Sequence, residues 1–195
     1  MKRADLSLVI VWIVVMMLLG GCSKCENLLL GGGFEQQSEL QKSPAGWFAT
    51  EVSHTKEFVT FEWDDEKAHG GECSVSIAID ADHPEERICY NWTKPVQGFR
   101  VGASYELSGW IRSENLPDAA WIVAQCWDES RSEMVGFATT QKDYPVTGTS
   151  DWVQVGTVFT VPEGTAEVII RVGICTPENR GGRAWFDDLA VREVQ

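Results

Sequence analysis

The sequence predicts an all-β domain built as two packed sheets, and three features carry that expectation. Apolar and polar residues alternate with period two through many short runs, the spacing that turns one side of a strand to a core and the other to solvent. No long stretch beyond the N-terminal region sustains the i, i+3, i+4, i+7 apolar spacing of an amphipathic helix. Turn-forming groups punctuate the runs: Gly31-Gly32-Gly33, Gly70-Gly71, Pro162-Glu163-Gly164 and Gly181-Gly182.

The candidate strands are Asn27–Leu30 leading to Phe34, Phe58–Trp63, Cys73–Ile79, Ile88–Val96, Tyr105–Arg112, Trp121–Trp127, Met134–Thr139, Trp152–Val161, Glu167–Ile174 and Arg183–Val191. About ten strands suffice for two packed sheets. Alternation also assigns faces. Tyr105, Leu107, Gly109 and Ile111 point inward, with Glu106, Ser108, Trp110 and Arg112 outward. Val168, Ile170, Val172 and Ile174 point inward with Arg171 opposite, and Cys73, Val75, Ile77 and Ile79 inward with Ser74 and Ser76 opposite. In the last strand Trp185, Asp187, Leu189 and Val191 share one side, which sets a carboxylate at the end of an apolar layer, where it needs a partner or a cation.

The N-terminus speaks to location. Lys2 and Arg3 precede an apolar run from Leu6 to Leu19, broken only by Ser7. The run is short of the roughly twenty apolar residues that cross a bilayer. It ends in Leu19-Gly20-Gly21-Cys22, which resembles the bacterial lipobox, whose cysteine is acylated and becomes the first mature residue. An ordinary cleaved signal or an uncleaved anchor is the rival reading. The division that follows is a signal peptide over 1–21, a lipidated Cys22 with a short tether over 22–26, and one domain over 27–195. The expected location is the bacterial cell envelope. Ser23, where an inner-membrane retention signal prefers Asp, favours the outer membrane in a Gram-negative source.

The remaining chain, about 170 residues, is enough for a single domain with a sizeable core. The whole chain carries a formal charge of −13. That balance excludes nucleic acid, whose phosphates need clustered Lys and Arg. It also argues against recognition of acidic polysaccharides by overall charge and leaves neutral sugars open. Beyond Cys22 lie five cysteines, Cys25, Cys73, Cys89, Cys126 and Cys175, with Cys25 beside the anchor the natural spare. An exported domain permits disulfides, and Cys73, Cys89, Cys126 and Cys175 allow three pairings. Cys73 with Cys89 is the first choice, because consecutive strands often neighbour one another. The spacing matches no zinc pattern, and the chain holds three histidines, His54, His69 and His83.

Six motifs in order give a family resemblance. They are Asn27-Leu28-Leu29 leading to Gly33-Phe34-Glu35; Pro44-Ala45-Gly46-Trp47; His69-Gly70-Gly71-Glu72-Cys73-Ser74-Val75; Gly102 through Arg112; Asp151-Trp152 leading to Phe159-Thr160-Val161-Pro162; and Ala184-Trp185-Phe186-Asp187-Asp188-Leu189. The series resembles the carbohydrate-binding modules of families four and nine (CenC-like). The resemblance implies a galactose-binding-like jelly roll, binding of a poly- or oligosaccharide on an aromatic-lined sheet face, and one structural calcium. Glu35 and Asp187 match the positions that ligate that ion, and hard carboxylate oxygens suit it. The competing reading is a pair of carboxylates capped by backbone N–H groups.

Nine tryptophans invite a sugar-stacking reading, since an indole face packs on the apolar face of a pyranose. Trp47, Trp152 and Trp185 lie in the shared motifs and are expected in the core. Trp110, Trp121 and Trp127 fall opposite the inferred core, and Arg112, Gln125 and Arg171 would flank them with hydroxyl-binding groups. These six are the candidate ligand surface, with a core edge or a protein interface as the alternative. Trp63 and Trp92 face ambiguously. The acidic runs Asp64-Asp65-Glu66 and Asp128-Glu129 read as solvated turns, and no G-x-S-x-G elbow exposes a serine. The expectation is a non-catalytic surface lipoprotein that binds a neutral glycan and touches the membrane through its lipid alone. An interaction lipoprotein with a protein partner is the alternative.

Overall fold

The structure, a computed structural model, describes residues 26–39 and 43–194. The signal peptide, Cys22 and Cys25 lie outside the described residues. Among the described residues nine strands follow in order: β1 (Phe48–Ala49), β2 (Val59–Asp64), β3 (Ser74–Ile79), β4 (Cys89–Val96), β5 (Ser104–Trp127), β6 (Met134–Thr139), β7 (Val146–Thr160), β8 (Glu167–Cys175) and β9 (Arg183–Glu193). The helical content among the described residues is a 3-10 turn at Lys56–Phe58. All pairings are antiparallel. Sheet one runs β2-β3-β9-β5-β7 and sheet two runs β1-β4-β8-β5-β6, with β5 serving both. The fold is an all-β jelly-roll sandwich.

Between the sheets lies one continuous apolar core. Val75, Ile77, Leu107, Ile111, Phe186, Leu189 and Val191 come from sheet one, and Tyr90, Trp92, Ile122, Val168, Ile170, Val172 and Ile174 from sheet two. Among them Val75, Ile77, Leu107, Ile111, Val168, Ile170, Val172 and Ile174 are residues that alternation turned inward on β3, β5 and β8.

Three expectations about the strands change. Asn27–Leu30 with Phe34 is a run of turns: Gly31 and Phe34 take positive φ angles of 72° and 55°. The Asn27 side chain accepts the N–H groups of Leu29 and Val191, and two backbone bonds, Leu28 N–H to Val191 O and Leu189 N–H to Gly32 O, join it in tying this segment to β9 without forming a regular ladder. Second, Tyr105–Arg112 and Trp121–Trp127 are not separate strands but the two ends of β5. Its register against β7 slips repeatedly between Ile111 and Ala120, where Asn115 takes φ 53°, and there the strand passes from one sheet to the other.

Third, β9 bulges. Asp188 has φ 48° and the pairing with β5 shifts between Ser108 and Trp110, so alternation changes phase. Leu189 and Val191 face the core as expected, but Trp185 and Asp187 lie on the outer side of sheet one. Trp185 is nonetheless fully buried. Its Nε1 donates to Asp64 (2.8 Å), and the side-chain cations of Arg183, Lys67 and Arg112 lie 4.6, 4.9 and 5.8 Å from its ring centroid. Burial acts to raise the Asp64 pKa, but the bond from Trp185, the N–H groups of Glu66 and Lys67 and the charge of Arg183 outweigh it, and the net shift is downward. Trp47 and Trp92 do pack the core. Trp152 is half-buried on the outer side of sheet one, edge-on to His69.

The disulfide joins Cys89 and Cys175, not Cys73 and Cys89. Cys89 and Cys175 are direct partners in the β4–β8 ladder with Cα atoms 4.0 Å apart, whereas β3 and β4 belong to different sheets. Cys73 and Cys126 are free thiols, and burial raises the pKa of both. Alkylation of native protein without reductant should therefore be slow at Cys73 and Cys126, and mass spectrometry should find Cys89 and Cys175 modified only after reduction. The bond spans 86 residues, so replacing both of its cysteines by Ala should lower stability by about 4 kcal/mol.

Candidate functional site

The outer face of sheet two is built in cross-strand rows. Cys89 and Cys175 form the first, then Asn91–Gly173–Trp121, then Phe48–Thr93–Arg171–Val123–Thr139, then Pro95–Ile169–Gln125–Phe137. β8 is the middle strand of the five, so Arg171 stands at the centre of the face. A groove of about 400 Å³ opens over it, lined by Arg87, Asn91, Trp121, Val123, Gln125, Phe137, Thr139, Gln141, Arg171 and the disulfide.

Trp121 is 8 % exposed and forms a small apolar cluster with Val123 and Cys175. It fits because its neighbour is Gly173: a β-carbon there would lie 2.7 Å from the indole and 2.2 Å from the Tyr90 carbonyl oxygen. Arg171 is half-buried. Its Nη1 donates to Asn91 Oδ1 at 3.2 Å, an oxygen that also accepts from Thr50 and Thr93, and its buried Nε has no acceptor. Burial lowers the Arg171 pKa and the charge of Arg131 adds to that, with Glu167 acting in the opposite sense. Glu167 itself pairs with Arg131 at 2.5 Å. Trp127 sits one row beyond Gln125, half-buried, and donates its Nε1 to Gln125 Oε1 at 3.2 Å.

Of the six sequence candidates, Trp121, Gln125, Trp127 and Arg171 therefore share one face, and three of them line the groove. Trp110 and Arg112 do not join them. Both belong to the first half of β5, so their outward side is that of sheet one, across the sandwich. There Trp110 stacks on His69 with centroids 3.8 Å apart, His69 bonds Asp188 at 2.7 Å, and Arg112 pairs with Asp151 at 2.6 Å. Sequence reasoning missed Asn91, Phe137 and Arg87. The first two were legible, since Asn91 alternates with the core residues Tyr90 and Trp92, and Phe137 lies in a strand read correctly. Arg87 is in a loop, where no periodicity places it.

Glu35 and Asp187 carry oxygens of the kind calcium takes, but those oxygens meet N–H groups. Glu35 accepts from Glu72 and Cys73 at 3.0–3.1 Å; Asp187 accepts from Asp188, His69 and Gly70 at 2.7, 2.8 and 3.1 Å. Among the described residues no three His, Cys, Asp or Glu side chains gather as a metal cluster. These N–H contacts are the ones the capped-carboxylate reading calls for, and the same oxygens are donors of the kind calcium takes. Asp187 is fully buried, and burial pushes its pKa up to about 6, the N–H bonds opposing and the Asp188 charge adding to it.

No family model matches the chain, and no curated protein matches it. Solved structures do. The xylan-binding CBM22-1 domain of Paenibacillus barcinonensis Xyn10C is 14 % identical, with a TM-score of 0.57 over 84 % of this chain and 92 % of that one. TmCBM61 in complex with β-1,4-galactotriose is 17 % identical, with a TM-score of 0.52 over 87 % and 99 %. The enzymatically active domain of bacteriophage CBA120 tailspike protein 4 is 14 % identical, with a TM-score of 0.58 over 86 % of this chain and 21 % of that one. This chain thus spans about a fifth of the tailspike domain's length. At these identities the likeness establishes the fold.

Two outcomes follow from the geometry. Gly173→Ala should displace Trp121 and the β4 backbone and cost about 1–3 kcal/mol, as overpacking does, measured by thermal unfolding. In chelator, raising the pH from about 4 to about 6 should destabilise the wild type relative to Asp187→Asn, by about 3 kcal/mol at most. The folded carboxyl titrates near 6 and the unfolded one near 3.8, so the folded state holds the extra proton in that window. Bound calcium would keep Asp187 ionised and reverse the slope, so repeating the series with calcium tests the implied ion.

Proposed function

We propose that this protein binds a glycan without catalysis on the outer face of sheet two and is held to the bacterial cell envelope by a lipid on Cys22. The observation that carries the reading is the groove itself. Its apolar wall of Trp121, Val123 and Phe137 lies beside amide, hydroxyl and guanidinium groups from Asn91, Gln125, Thr139, Gln141 and Arg171. Sugars call for that mixture, flat apolar surface with convergent hydrogen-bonding groups. The sandwich shared with a xylan-binding domain and a galactotriose complex supports it. Glycoside hydrolysis ordinarily needs two flanking carboxylates, and no Asp or Glu lines this groove. A protein partner is the second reading, favoured by the exposure of Phe48 and Phe137, 62 % and 56 %, at opposite edges of the same face.

A glycan array followed by titration of purified protein tests the proposal. Phe137→Ala and Gln125→Ala should each weaken glycan binding about tenfold, the worth of one stacked ring or one oriented hydrogen bond. The melting temperature should hold, because both side chains lie outside the core. Trp110→Ala and Arg112→Ala, on sheet one, should leave binding intact. Absence of any glycan binding by the wild type would favour the protein-partner reading. Separately, Cys22→Ser should release the protein from the membrane fraction or leave its signal uncleaved.

A further inference from the structure

We infer that the glycan taken by sheet two carries a carboxylate, as a uronic acid residue does. The inference rests on the glycan-binding reading above and adds the chemical class of the ligand.

The chain has 29 acidic residues against 16 basic ones, yet the groove on sheet two contains none of the acidic ones and two arginines, Arg87 and Arg171. Four other grooves on the surface each include at least one carboxylate: Glu51 and Glu57 in one, Glu106 and Asp143 in the next, Asp188 in the third, and Asp65, Glu66 and Glu72 in the fourth. In a protein this acidic, a groove free of carboxylates is a local inversion of charge.

The arginines show the same division. Arg100, Arg112, Arg131, Arg180 and Arg183 each form an ion pair with Asp or Glu. Among the described residues Arg87 and Arg171 form none, nor does Arg192 on sheet one. The acids next to Arg87 are engaged elsewhere, Glu85 with Arg180 at 3.2 Å and Glu86 with His54 at 2.8 Å. Arg171 is the sharper case, because it is half-buried at the centre of the face, where leaving a charge unmatched is costly. Its one protein acceptor is the neutral Asn91 amide. Glu167, on the same strand, offsets the charge in part, but its carboxylate is paired with Arg131 at 2.5 Å. A ligand anion supplies the direct partner, and the planar guanidinium matches a carboxylate in shape.

The overall charge of −13 does not forbid this. At physiological salt the screening length is about 8 Å, so acids on sheet one and in distant turns are largely screened from a ligand on sheet two. Around the arginines stand the neutral donors Asn91, Gln125 and Gln141, suited to the hydroxyls of the same sugar.

The test is calorimetric titration of purified protein with oligomers of galacturonate, glucuronate, mannuronate and guluronate. Each is paired with its carboxyl-reduced neutral counterpart, and a sulfated neutral oligosaccharide is included. The expected result is that at least one uronate oligomer binds roughly tenfold or more tightly than its reduced form, as a desolvated charge pair allows. Its affinity should fall as salt rises from about 50 to 500 mM. Arg171→Gln should bring the acid down to the level of the reduced sugar with the melting temperature held, and Arg87→Gln should do so partially. Equal or better binding of the neutral forms overturns the carboxylate inference and leaves the glycan reading standing. Preference for the sulfated probe over every uronate overturns it in favour of a different anion. Binding of no glycan overturns the reading beneath it.

Discussion

The backbone of β5 hydrogen-bonds to four strands, β9 through residues 105–114, β7 through residues 104–120, and β6 and β8 through residues 121–127. Buried backbone groups must be paired, and a strand that leaves one sheet to enter another meets that requirement by slipping register where it turns. Both halves also supply the shared core, Ile111 from sheet one and Ile122 from sheet two. Gly109 marks how closely the layers meet: a β-carbon there would lie 2.3 Å from a Leu189 methyl and 2.8 Å from an Ile122 methyl. The arrangement on either outer face follows from this strand, because it decides which residues accompany sheet one and which accompany sheet two.

Much of this was legible in the sequence, and what was not has a physical cause. Alternation identified the inward residues of β3, β5 and β8 and placed Trp121, Gln125, Trp127 and Arg171 on an outward side, because a two-residue period directly encodes sidedness. It did not show that Trp110 and Trp121 belong to opposite outer faces. Facing is a local property, whereas sheet membership depends on partners far along the chain. The bulge at Asp188 reversed the sides of Trp185 and Asp187 for a similar reason: one extra residue with positive φ shifts the phase without altering composition. The disulfide pairing was hidden because it depends on the register between β4 and β8, whose cysteines lie 86 residues apart.

Charge shows the same gap between an average and a place. The sum over the chain is a true statement about solubility and long-range steering, but a ligand on one sheet is governed by the groups within a screening length of it. Sheet one gathers Lys67, Arg112 and Arg183 over Trp185 and pairs the two arginines with Asp64, Glu62 and Asp151. Sheet two keeps Arg171 without an ion pair. Arginines of the same formal charge therefore do different work: on sheet one they roof a buried indole, and on sheet two one stands against a groove.

The tie between Asn27 and β9 has a mechanical consequence. Asn27 and Leu28 bond Leu189 and Val191, so both ends of the described domain emerge beside the same strand of sheet one. A molecule gripped on sheet two and a chain fixed at either end would pull from opposite layers. The load would cross the thickness of the sandwich through interlocked side chains and the turn of β5. Pulling on the two ends together would instead load the Asn27–Leu28 contacts with β9 and the end of the β9–β5 ladder, both in the layer of sheet one. Tension thus reaches the two layers by separate routes, and the layer that carries the groove is the one remote from the ends.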